Sequence, residues 1–387
     1  MQSLIKRWGR DFLVIMLCAL FLQLGLGLQK SVYTNFVAED LHLSAEQLGW
    51  VEGIREVPGL LTIVLALPAV FFTESVFSAI TVLFVAVGLI FYSRATGFSS
   101  LAVSTVILSI GFHLFSPVQS SMVLRISKPN ERAMRLGVLN SVTAFAAVLA
   151  TLFVWQFNRI LTYRNYFFVA ALICFVGAGV ILIARRGEKA EIRRPAVFRW
   201  EYMDYYILTL LAGSRRHMNA TFATFALVQL GHVPVTVMST LFLIANLMAI
   251  ATRPMLGKMI DKWGEGKSLT FNYAVVIVLF LGYAFLRNVW MLYAIFIIDN
   301  LFLGFDIAIT TYLSKIAPHG DISPSLSMGS TIQHIAAVAI PVLGGWLWDT
   351  ISPTATFLAG ALLCAVSLFQ AYRLPVKHTT PVAEAGM

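Results

Sequence analysis

Two adjacent arginines, Arg215 and Arg216, stand inside an apolar stretch that begins near Tyr205. Ten residues of helix rise about 15 Å, so the pair falls near the centre of any membrane this stretch crosses. An ionisable side chain there costs about 2.5–3.5 kcal/mol on insertion scales, and two of them need a reason. A guanidinium presents bidentate donors to oxyanions, so one reading is a clamp for an anionic group. The other reading is an internal ion pair with a carboxylate on a neighbouring helix. At about 100° per residue, Arg215, Arg216 and Asn219 share one sector, while Ser214, His217, Thr221 and Thr224 share another. Neither sector suits lipid. This helix is therefore expected to line a cavity, with Gly213 as a candidate for a local break.

Two further groups of ionisable residues lie in apolar stretches. Glu52, Arg55 and Glu56 follow the i, i+3, i+4 spacing that places side chains on one helix face. They read either as a self-neutralising gate or as a proton carrier, Glu56, tuned by the charge of Arg55. Asp299 and Asp306, seven residues apart, fall close to a common face. They are candidates for pairing with Arg215 or Arg216, or for proton or cation coupling. The candidate substrate contacts are Arg215, Arg216, His217, Asn219 and Asp306; the candidate coupling or gating groups are Glu52, Arg55, Glu56 and Asp299. His113, His217 and His334 lack the close spacing of a metal motif, so neither a metal nor a cofactor is expected. Cys18, Cys174 and Cys364 sit far apart inside apolar runs and read as small buried residues.

The elements that must position these groups follow from composition. The 387 residues are 58% hydrophobic and 12% charged, with mean hydropathy +0.80. Soluble domains average about 25% charged residues, so this chain cannot cover a water-facing globule of its size. That excludes a soluble enzyme, a nucleic-acid binder and a disordered chain. Twelve apolar runs lie near 11–36, 47–71, 76–93, 99–124, 137–158, 165–184, 205–230, 234–254, 269–286, 290–314, 327–347 and 353–373. Each is long enough to span about 30 Å of hydrocarbon as a helix. They are continuously apolar rather than alternating, which argues against a membrane barrel. The run after Lys6, Arg7 and Arg10 is followed by no small-residue cleavage site and reads as an uncleaved first span.

Charge sets the expected orientation. With the N-terminus in the cytoplasm, inside segments hold twenty Lys and Arg and outside segments five, a strong positive-inside bias. All eight tryptophans fall near span ends, as an interfacial belt requires. Both termini are therefore expected on the cytoplasmic side. The most polar stretch, at 185–204, separates a bundle of residues 1–184 from one of residues 205–387 with a short cytoplasmic tail. A weak repeat supports that division, since GFHLFSPVQSSMVLRISKP from Gly111 is similar to GFDIAITTYLSKIAP from Gly304. The expectation is an all-α membrane protein of twelve helices in two six-helix bundles around a central cavity.

The segment GKMIDKWGEGKSL, from Gly257 to Leu269, resembles the loop signature of the major facilitator superfamily, at Gly257, Asp261, Lys262, Gly264 and Lys267. It falls between spans eight and nine, where that family places its second copy. The resemblance implies that Asp261 steadies one cytoplasmic closure state by accepting hydrogen bonds. Three departures stand beside it. The first-half copy reads LPAVFFTESVFS, with Glu74 its one charge; Ile107 stands where proton-coupled relatives often carry an arginine; and the Gly-Pro signature of many drug antiporters is missing from span five.

The combined reading is a secondary active transporter, not an enzyme, in a plasma or bacterial inner membrane. It moves a small organic solute, with an anionic group favoured, by alternating access and with protons as the coupling ion. A monomer in the lipid bilayer is expected, with no nucleic-acid partner. A drug or lipid exporter of the same fold is the first alternative and would respond little to loss of the arginines. The second is a membrane receptor or scaffold, against which stand loops of no more than about 20 residues without a nucleotide-binding motif.

Overall fold

A computed structural model describes residues 8–128, 131–184 and 198–374. Among them the secondary structure is helical, without a strand. Twelve principal helices follow one another: α1 Arg10–Asn35, α2 Ala45–Leu60, α3 Glu74–Ser93, α4 Phe98–Arg125, α5 Arg132–Phe157, α6 Tyr163–Ile181, α7 Met203–Met218, α8 Val235–Trp263, α9 Glu265–Phe285, α10 Val289–Phe302, α11 His319–Thr350 and α12 Pro353–Tyr372. Ten of these, counting α10 with its continuation to Ile316, are long and apolar enough to cross a membrane. The two others, α2 and α7, carry the buried charges and are interrupted.

The interruptions correct the expected runs. The run 47–71 is not one helix. Pro58 lies in the last turn of α2, where its ring removes an N–H and crowds the preceding turn. The chain bends at Leu61, then continues as a short helix Thr62–Leu65 and a 3-10 segment Leu67–Phe71. The run 205–230 breaks at a π turn, Asn219–Ala223, before resuming as Thr224–Gln229. The break expected at Gly213 does not occur. Gly213 lies inside α7 against α11, where an added Cβ would meet the Ala336 Cβ at 3.3 Å. The run 290–314 is crossed by a 3-10 segment, Leu303–Asp306, after which helix resumes over Ile307–Ile316.

Helix starts follow local chemistry. Ser44 opens α2 with a reciprocal capping box to Gln47. Asn288 accepts from the backbone N–H groups of Trp290 and Met291 at the start of α10. One residue, Gly264, joins α8 to α9 at φ 80°, a conformation that favours glycine. Of the linker expected at 185–204, residues 185–197 lie outside the described residues. A 3-10 turn Trp200–Tyr202 precedes α7, which starts two residues earlier than the sequence suggested.

The chain gathers into two compact units, Met1–Arg193 with Thr224–Asn246, and Arg194–Ala223 with Leu247–Met387. In the first, α1 packs on α5 and α6, and α3 packs on α4 and α6. In the second, α7 packs on α11 and α12, and α9 packs on α10 and α12. These are the same pairings six helices later, which gives the weak sequence repeat a structural basis. A matching ion pair marks each. Glu74 opens α3 and meets Arg125 in the last turn of α4 at 2.7 Å. Glu265 opens α9 and meets Lys315 in the last turn of the α10 continuation at 2.7 Å. An acid at a helix start and a base at a helix end both oppose the helix dipole.

Candidate functional site

Arg215 and Arg216 point to different partners. The Arg215 side chain is 1% exposed and the Asp299 side chain 0%. Arg215 Nη2 donates to Asp299 Oδ1 at 2.9 Å and to the Asp299 carbonyl at 3.1 Å, while Nη1 donates to the Phe302 carbonyl at 3.2 Å. Asn219 Nδ2 donates to the other carboxylate oxygen, Oδ2, at 2.6 Å. Both oxygens of Asp299 are thus engaged inside the second unit. Local backbone explains the fit. The π turn starts at Asn219 and keeps it beside Arg215, and the 3-10 segment begins just after Phe302, whose carbonyl faces the guanidinium.

Arg216 is different. Its side chain is 43% exposed, and Nη2 donates to Asp306 Oδ2 at 2.7 Å. This pair lies on the wall of a cavity of about 240 Å³ within the second unit. Tyr205, Thr209, Thr310 and Gln333 supply further polar groups to the wall, and Ile307 and Ile309 an apolar part. Arg216 therefore leaves the sector it was expected to share with Arg215 and Asn219. His217 is half-buried and does not line this cavity. Sequence reasoning did not single out Tyr205, Thr209, Thr310 or Gln333, because uncharged polar residues are common in membrane helices and nothing in their spacing marks them.

The first unit holds a second polar group. Arg55 Nη1 meets Glu52 Oε2 at 2.6 Å, and its Nε and Nη2 each donate to Glu56 Oε1 at 3.1 Å. Glu56 Oε2 faces His113 Nε2 at 3.6 Å. The His113 Nδ1 lies 3.0 Å from the Ser109 carbonyl, and the Ser109 hydroxyl donates to the Arg55 carbonyl. Glu52 and Glu56 are both buried. The i, i+3, i+4 spacing thus forms a connected cluster, joined by a histidine 57 positions further along that no local spacing could pair with Glu56. In the sequence repeat His113 corresponds to Asp306. Each faces a charged residue of its own unit.

The loop signature closes α8 and opens α9. Gly257, Asp261 and Lys262 lie in the last turns of α8, Gly264 forms the joint, and Lys267 lies in the first turn of α9. Asp261, Lys262 and Lys267 are exposed and make no ion pair among the described residues. His334 is half-buried in α11.

An all-helical membrane fold with an internal repeat and charged residues midway along its helices defines a class of transport proteins. Residues 15–323 and 206–386 match the family profile described as Major Facilitator Superfamily, and the chain belongs to that superfamily. It is an integral membrane transporter rather than an enzyme. Solved structures share the fold. A mutant of the nucleoside transporter NupG superposes with TM-score 0.78 at 11% identity, covering 94% of this chain and 99% of that one. A bacterial homologue of the human lysosomal transporter Spinster, inward-facing and occupied, gives TM-score 0.74 at 13% identity, with 93% and 95% covered. The peptide transporter POT in complex with sulfate gives 0.71 at 14% identity, with 94% of each chain covered. No curated protein matches the sequence.

Proposed function

We propose that this transporter carries a small polar organic solute and holds its anionic group on Arg216, in the cavity of the second unit. The observation that carries the reading is the contrast in the arginine pair. Arg215 directs Nη1 and Nη2 to Asp299 and two carbonyls, whereas Arg216 keeps a side chain 43% exposed on a cavity wall. Alternating access moves the solute, with protons as the coupling ion. Glu56 is the coupling group, because its carboxylate lies between a permanent cation, Arg55, and a titratable one, His113. Asp261 steadies cytoplasmic closure. The charge split supports cytoplasmic termini, as in a plasma or bacterial inner membrane, and the chain works as a monomer.

A thermal-shift screen of the purified protein against metabolites tests the solute reading, since a ligand stabilises by mass action. Hits enriched in carboxylates or phosphates are expected, with stabilisation lost in Arg216→Ala. Hits that bind Arg216→Ala as well as the parent protein defeat this reading and favour the exporter. For coupling, Glu56→Gln should abolish uphill transport in proteoliposomes and spare exchange. Uphill transport by that variant removes Glu56 from the mechanism.

A further inference from the structure

Three features of the Arg216–Asp306 pair narrow the class of solute. The first is that the pair is made through one bond, Nη2 to Oδ2 at 2.7 Å, which uses one donor of Arg216 and one oxygen of Asp306. Arg216 Nε and Nη1 make no hydrogen bond among the described residues. A guanidinium carries five donors in a planar fork and a carboxylate accepts at two oxygens, so both partners retain capacity beside their mutual contact.

The second feature is Asp306 Oδ1. It is shielded from water and accepts no hydrogen bond among the described residues. A buried acceptor without a donor is a destabilised group, and the penalty is larger when it is charged. The equivalent oxygen of Asp299 is not left in that condition, because Asn219 donates to it. The fold completes one carboxylate and leaves the other short of one donor, on a side chain that borders the cavity.

The third feature is charge. Arg216 and Asp306 are the two residues of opposite charge on the cavity wall, and the remaining lining is uncharged side chains. A solute with only an anionic group gains attraction from Arg216 and meets repulsion from Asp306 beside it. At short range in a medium of reduced dielectric these opposing effects are similar in size. A solute with only a cationic group faces the reverse. A solute that carries both charges within the span of the cavity satisfies both residues and brings no net charge out of water.

We propose that the cavity selects a zwitterion: a compact solute whose carboxylate binds the spare donors of Arg216 and whose ammonium pairs with the Asp306 carboxylate. Ile307 and Ile309 give the wall an apolar portion for a hydrocarbon side chain. This rests on the reading that the Arg216 cavity is the substrate site, and it adds a cationic group to the anionic one already assigned.

The test uses full-length protein in nanodiscs and matched probes. Leucine and leucyl-leucine are the zwitterions; 4-methylpentanoate lacks the amine of leucine, and 3-methylbutylamine lacks the carboxylate. Binding is read by thermal shift against concentration. At least one zwitterion should bind about 10–100-fold more tightly than either half, the range expected for one charged hydrogen bond. Asp306→Asn should remove that advantage and leave 4-methylpentanoate unaffected or tighter. Arg216→Lys, which retains a cation for Asp306, should weaken the zwitterion while the ligand-free melting temperature stays near that of the parent. If 4-methylpentanoate equals the zwitterions and its binding depends on Arg216, the zwitterion proposal fails while the Arg216 site survives. Binding indifferent to both Arg216→Ala and Asp306→Asn overturns the site and the proposal together. A panel in which neither zwitterion binds overturns the proposal.

Discussion

Arg215 and Arg216 are chemically identical neighbours, yet one helix step of about 100° gives them opposite environments. Arg215 lies in a closed shell, 1% exposed, with its carboxylate partner bonded at both oxygens. Arg216 lies in an open one, 43% exposed, with a partner bonded at one oxygen. The difference teaches how to read charges inside a membrane. A charge there signals function only after its partners are counted, and the arginine whose carboxylate partner is bonded at both oxygens is the structural one.

The largest expected effect comes from breaking the closed pair. Arg215→Ala leaves Asp299 buried without its cation, a loss of about 3–5 kcal/mol for a buried pair. Folded protein after detergent extraction, followed by size-exclusion and melting temperature, should fall sharply. Adding Asp299→Asn should restore most of it. A single variant as stable as the parent would erase the distinction between the two arginines.

Next in size is Arg216→Ala, expected to cost less stability than Arg215→Ala because its side chain is 43% exposed and Asp306 borders the cavity. Its effect should appear in ligand affinity, weakened by about 1.5–3 kcal/mol for a hydrogen bond to a charged group. Isothermal titration with the strongest thermal-shift hit measures it. Unfolding of this variant would make Arg216 a structural residue like its neighbour.

A smaller change sharpens the account of why the first shell is closed. Asn219→Ala removes the donor to Asp299 Oδ2, and melting curves should register a loss of about 1–2 kcal/mol. No loss would mean that the π turn places Asn219 beside the acid without energetic consequence. The smallest effect belongs to Asp306→Asn. Its shielded Oδ1 already lacks a donor, so the ligand-free melting temperature should move by less than about 1 kcal/mol equivalent. A large drop would show that the open pair also holds the unit together.

The regular elements were legible because twelve continuous apolar runs leave helices as the only sensible reading. The interruptions were not. Pro58 sat in view within span two, yet proline in a membrane helix is often tolerated, so it did not mark the bend at Leu61. For Asp299 and Asp306, seven residues of ideal helix put them on nearly one face. The intervening 3-10 segment turns about 20° more per residue than an α-helix, and over Leu303–Asp306 this rotates Asp306 away toward Arg216. The residues that could carry charge were thus visible from type alone. Which acid serves which arginine depended on backbone departures that residue types do not encode. His113 was missed as the partner of Glu56 for a related reason, since the contact joins two helices and has no spacing within either.

The closed pair also constrains how the protein is made. Span seven carries two arginines and is not among the helices apolar enough to cross a membrane by length and composition. Its neutralising acids lie on a helix synthesised later, with Asp299 84 positions after Arg215. At about 5–20 residues per second, the ribosome needs roughly 4–17 s to supply that partner. During this interval the two charges of span seven lack Asp299 and Asp306, so stable insertion is expected to wait on the arrival of span ten. The expected outcome is that the two helices enter the bilayer as a pair: a chain truncated before Asp299 should leave span seven uninserted in a glycosylation-mapping assay, and stable insertion of that truncated chain would show span seven enters alone.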